Sequence, residues 1–77
     1  MRYQIVVTTT GGRVHTSAIG DEVTGAEYLS ALDSLRKFFK DIKPIDGGEF
    51  TVETEEGLVI IPLAHIESLV IRPVGES

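Results

Sequence analysis

The sequence predicts an α+β fold, an antiparallel sheet of about five strands in the order β-β-α-β-β-β with one amphipathic helix packed on one face. Three observations predict it. Phe50 to Val74 alternates apolar and polar residues around Gly57 and Pro62, then closes on a final apolar run. Tyr3 to Ile19 repeats the alternation around Gly11-Gly12. Between them, residues 25–43 carry apolar side chains at helical spacing behind a capping signal.

The first element is a hairpin. Gly11-Gly12 offers a two-residue loop that tolerates positive φ at both central positions. That loop pairs Thr10 with Arg13, Thr9 with Val14, Val7 with Thr16 and Ile5 with Ala18. One face then carries Tyr3, Ile5, Val7, Thr9, Val14, Thr16 and Ala18, and the wetter face carries Gln4, Val6, Thr8, Thr10, Arg13, His15, Ser17 and Ile19. The drier face is expected to turn to the core.

Gly20 to Val23 reads as a loop. Thr24, three residues before Glu27, is a capping box in which each residue satisfies an orphan backbone donor of the other. Tyr28, Leu32, Leu35, Phe39 and Ile42 then recur at spacings of four, three, four and three, widened by Ala31 and Phe38. This is one docked helix face. Arg36, Lys37, Lys40 and Lys43 complement the dipole of the last turns, and Pro44 biases Lys43 out of helical geometry. The helix is expected over 25–43, with a turn at 45–48.

Beyond it, Phe50, Val52 and Thr54 alternate with Thr51, Glu53 and Glu55. A turn at Glu56-Gly57 pairs Thr54 with Val59, Val52 with Ile61 and Phe50 with Leu63. Pro62 has no N–H to give a ladder, so it belongs on an edge or at a strand end. Leu63 to Ile66 reads as a corner of one tight helical turn. Leu69-Val70-Ile71 is a last strand closed by Pro73, and Gly75-Glu76-Ser77 is a frayed tail.

The corner from Ile61 through Pro62, Leu63, Ala64, His65, Ile66, Glu67 and Ser68 to Leu69 is similar to the closing corner of Src-homology-like (SH3) and Sm-like barrels. There a proline or tight turn precedes an apolar last strand. The resemblance implies an alternative arrangement, a small five-stranded barrel with the helix inserted between strands 2 and 3. The chain departs from both families elsewhere. It lacks the aromatic residues of a proline-peptide groove and a basic RNA-binding loop, so neither function is carried over. The open sheet suits the single long helix better and is the arrangement expected.

Seventy-seven residues make one domain, spanning 1–77. A chain of this size buries only roughly 60% of the surface its unfolded form exposes. With no cysteine, neither a disulfide nor a thiolate metal site compensates. Oligomerisation is the usual remaining remedy. The lack of cysteine fits a reducing compartment, and no apolar run approaches a membrane span. The N-terminal apolar run is too short for a signal peptide. A cytoplasmic location without membrane attachment is expected. Residues 1–43 balance to +1, whereas residues 44–77 set Arg72 against seven acids for a balance of −6. An acidic half repels a phosphate backbone, so nucleic acid is an unlikely partner.

Few residues point to chemistry. His15 and His65 stand in no metal-binding spacing, and together with Arg13 they are only weak ligand candidates. Glu53, Glu55 and Glu56 read as charges that keep a β edge from pairing, because no loop gathers the further oxygens a hard cation needs. The Thr8-Thr9-Thr10-Gly11-Gly12 turn runs strand to strand, unlike a phosphate-cradling loop. The serines have no histidine–carboxylate partner nearby in sequence. No catalytic residue, cofactor site or metal site is expected.

The anomaly is apolar side chains on the nominally wet faces, at Val6, Ile19, Leu58, Ile60 and Val70. One such residue is ordinary, but five make a candidate interface. The expected function is a non-catalytic interaction module, self-associating as a homo-oligomer through a β face or edge. An oligomeric small-barrel nucleic-acid-binding protein is the first alternative. The second is a small ligand-binding protein or enzyme whose site forms between subunits.

Overall fold

The computed structural model describes residues 1–41 and 47–75. The elements are β1 (Arg2–Thr9), β2 (Val14–Thr16), α1 (Gly25–Asp41), β3 (Glu49–Thr54), β4 (Gly57–Pro62), a 3₁₀ turn (Leu63–His65) and β5 (Ile66–Val74). The α+β class, the element order and the antiparallel pairing are those the sequence predicts. Ile42, Lys43, Pro44 and the first half of the expected 45–48 turn, Ile45 and Asp46, lie outside the described residues, as do Glu76 and Ser77 of the tail.

The single open sheet needs correction. The strands form two sheets, β2-β1-β5 and β3-β4. A backbone bond links them, Ala18 N donating to Glu53 O at 2.9 Å, while Thr10 N to His65 O at 2.8 Å extends the β1-β5 ladder and Leu63 N to Gly48 O at 2.9 Å extends the β3-β4 ladder. Val7, Val52 and Ile61 form the shared core, flanked by Ile5, Phe50, Val59, Ile66 and Leu69. Two hairpins with one dry face each bury both faces at once by turning them together, which strand twist favours.

The first hairpin is one residue out of the expected register. Val6 pairs with Thr16, Val7 with His15 and Thr8 with Val14. The loop holds three residues, Thr10-Gly11-Gly12, and only Gly12 takes positive φ, at +86°. Gly12 N donates to Thr9 O and Thr9 N to Arg13 O, while the Thr9 hydroxyl accepts from Arg13 N at 3.2 Å. This is a tight turn followed by a left-handed glycine, the usual three-residue hairpin. One residue of slip turns every β2 side chain over. Val14 and Thr16 therefore point outward, and His15 lies beside Val7 on the core side, half-buried.

The second hairpin slips by two residues, which leaves its faces unchanged. Val52 pairs with Val59 and Phe50 with Ile61. The turn residues are Glu55-Glu56, and Gly57 follows at φ +144°. The Thr54 hydroxyl donates to Gly57 O at 2.8 Å and accepts from Glu56 N at 3.2 Å, which holds the turn. Pro62 ends β4, as its missing donor requires. The corner after it is the 3₁₀ turn, and Leu63, which the expected register paired with Phe50, is buried within that turn.

The last strand is longer than expected. β5 runs through Pro73 to Val74 and pairs with β1 from Arg2↔Val74 to Thr9↔Ile66. Pro73 is tolerated because β5 is an edge. Ile5 gives its N–H to the Ser17 hydroxyl and accepts from Ser17 N, so odd-numbered β1 residues bond toward β2. By alternation the even-numbered ones bond to β5, and the Pro73 nitrogen faces away from the ladder.

The capping box forms as expected. Thr24 N donates to Glu27 Oε1 and Glu27 N to Thr24 Oγ1, both at 3.1 Å. Thr24→Ala should cost about 1 kcal/mol of stability, read from the urea midpoint; an unchanged midpoint would contradict it. The helix bridges the two sheets rather than lying across one. At its start Tyr28 meets Tyr3 edge-on, with ring centroids 5.6 Å apart, and donates its hydroxyl to Ile71 O at 3.2 Å. At its end Phe39 packs on Phe50 at 5.6 Å. None of its side chains is fully buried.

Candidate interaction surface

The strand pairing sorts the candidate residues onto surfaces. β3 and β4 turn Phe50, Val52, Val59 and Ile61 to the core, so Leu58, Ile60 and Pro62 share the outer face with Glu49, Thr51 and Glu53. Leu58 is 64% exposed and Ile60 is 56% exposed, large values for aliphatic side chains on a strand.

β4 pairs with β3 alone. Thr54 and Gly57 flank the two-residue turn and form its first hydrogen-bonded pair, so Val52–Val59 and Phe50–Ile61 are bonded pairs as well. Two observations agree. Glu53, between those pairs, turns its carbonyl away from β4 to accept from Ala18 N. Pro62, with no N–H, stands opposite Glu49 at a non-bonded pair. The N–H and C=O groups of Leu58 and Ile60 therefore point off the free edge. Among the described residues no hydrogen bond takes them up. An edge with free backbone groups and apolar side chains is a template for another strand.

The two ends of this edge carry different side chains, and at the far end Glu49 stands opposite Pro62. Glu55 and Glu56 form the turn at its start, with Glu53 close by on β3. At its far end Arg13, His15 and His65 line one cleft of about 510 Å³ with Thr10, Ile60 and Pro62. The fold thus gathers the three weak ligand candidates at one place, although His15 stands on the core side of the hairpin rather than its wet side. Among the described residues no group of three side chains suited to holding a metal ion forms.

The other apolar candidates lie elsewhere. Val6 and Val70 are directly paired on the outer face of the three-stranded sheet, where Val6 is half-buried and Val70 exposed. Val14 joins them, paired with Thr8 and more exposed than Val70. Sequence reasoning set Val14 inside because of the one-residue slip; a three-residue loop would have revealed it. Ile19, also exposed, lines a separate cleft with Thr51 and Glu53. The five candidates therefore divide among separate surfaces. Leu29, exposed on α1, was missed as well, and its place off the Tyr28–Leu32–Leu35 stripe was the available signal.

Between α1 and β5 an apolar groove of about 450 Å³ runs past Leu32, Leu35, Phe39, Ile66, Leu69 and Ile71. No helix among the described residues is long and apolar enough to cross a membrane. Comparison with protein-family models, curated proteins and solved structures finds no match to this chain.

Proposed function

We propose that this chain is a non-catalytic interaction module that associates with itself through an exposed apolar β surface. The observation that carries the reading is β4, an edge strand that presents Leu58 and Ile60 to solvent beside unpaired backbone groups. The small core supports it independently. Among the described residues, buried hydrophobic side chains are confined to Val7, Val52, Ile61 and Leu63. A domain with so little interior gains stability by covering apolar surface with a second copy.

Analytical ultracentrifugation at micromolar concentration tests the reading. The chain should sediment above its monomer mass of 8.4 kDa. Ile60→Glu should return it to monomer with its circular dichroism unchanged, because residue 60 lies outside the core. A wild-type chain that is strictly monomeric at these concentrations would remove the proposal.

A further inference from the structure

We infer that two copies join through their β4 edges, antiparallel across a two-fold axis at Val59, with Leu58 of each copy opposite Ile60 of the other. This rests on the self-association reading and specifies which edge, orientation and register it uses.

The choice of edge follows from what blocks the alternatives. On β5 the outward side meets Pro73, which has no N–H, and the Ile71 carbonyl is already taken by the Tyr28 hydroxyl. β2 is followed directly by the Ala18 N–Glu53 O bond to the other sheet. Among the described residues β4 sets two large aliphatic side chains, Leu58 and Ile60, beside free donors and acceptors on one edge, whereas β2 offers only Val14.

The orientation follows from charge. An antiparallel pair sets the Glu55-Glu56 turn of each copy beside the Pro62–His65 end of the other, where Arg13 and His65 line the cleft. The two turn carboxylates then meet an end where Arg13 stands beside the single carboxylate of Glu49, rather than a second pair of carboxylates. A parallel pair would set acidic turn against acidic turn, which costs free energy. Antiparallel pairing of one strand with its own copy also closes on itself as a two-fold dimer.

The register follows from Pro62 and Glu56. With Leu58 opposite Leu58, Ile60 faces the charged Glu56. With Ile60 opposite Ile60, the Leu58 carbonyl faces Pro62, which has no N–H to offer. With Leu58 opposite Ile60, the N–H and C=O groups of both residues are all paired, and the four aliphatic side chains form one cluster on the outer face. Pro62 falls just beyond the joint and stops the ladder from extending.

Cysteine cross-linking tests the register cleanly, because the chain has no cysteine of its own. Leu58→Cys and Ile60→Cys are both surface changes. Residues opposite each other at a hydrogen-bonded antiparallel pair have Cα atoms about 5.5 Å apart, within disulfide range. The two variants are mixed, one of them ¹⁵N-labelled so that all dimers differ in mass, and oxidised with copper phenanthroline. The mixed disulfide should exceed either homodimer by about tenfold, since only that pairing meets the distance requirement. Dominance of either homodimer overturns the register. Absence of cross-linking in a chain that sediments as a dimer overturns the β4 joint while leaving self-association standing. A monomer in the centrifuge overturns both.

Discussion

Val7→Asp should leave the chain unfolded in neutral buffer. Val7 is 0% exposed, at the centre of the cluster it forms with Val52 and Ile61. The substitution removes aliphatic burial worth about 1.5–3 kcal/mol. It also introduces a carboxylate whose desolvation costs several kcal/mol into a cluster of aliphatic side chains and Phe50. Typical stabilities of about 0.05–0.15 kcal/mol per residue imply only about 4–12 kcal/mol for a chain of this length. The two effects together are of that size. Far-UV circular dichroism and a urea titration provide the check, and a cooperative transition at the wild-type midpoint would show that Val7 is not the centre of the core.

The second large effect separates two neighbours. Ile61→Ala should cost about 2–5 kcal/mol, because Ile61 is 4% exposed and the hole it leaves opens between the two sheets. Ile60→Ala should change monomer stability by less than about 0.5 kcal/mol, as surface changes usually do. The side chains are chemically identical and adjacent, so the contrast isolates the alternation of the strand. Urea melts should be run at a concentration low enough to keep the protein monomeric, because an interface would add its own stabilisation. Equal losses at both positions would place β4 with both faces covered inside one subunit, and the proposed association surface would be lost.

The contrast also shows why the second hairpin was legible. The inward set Phe50, Val52, Val59 and Ile61 survives a register error of two residues, since side chains repeat their direction at that interval. Leu58 and Ile60 consequently stand at the surface, where the alternation puts them. The helix start was legible for a different reason. Thr24 and Glu27 satisfy each other's backbone donors locally, and no tertiary contact is needed to select that arrangement.

The first hairpin was less legible. Gly11-Gly12 is compatible with a two-residue loop using two positive φ angles and with a three-residue loop using one. The Thr9 hydroxyl, accepting from Arg13 N, belongs to the longer loop. That one residue moves Val14 to the outside and His15 toward the core. The candidate surface was legible only in part for the same reason. The apolar residues were identifiable one at a time, but their division among the β4 edge, the Val6–Val70–Val14 face and the Ile19 cleft depends on which strands are neighbours.

By itself the sequence determined the α+β class, the element order, the helix cap, the 3₁₀ corner and the dry face of the second hairpin. Each of these rests on interactions within a few residues or on a strict period of side-chain direction. Only the tertiary structure decided that the strands divide into two facing sheets, that α1 bridges them, and that Arg13, His15 and His65 share one cleft. Those outcomes depend on how separate hairpins cover each other's apolar faces and on hydrogen bonds such as Ala18 N to Glu53 O, which join residues too far apart along the chain for any local pattern to encode.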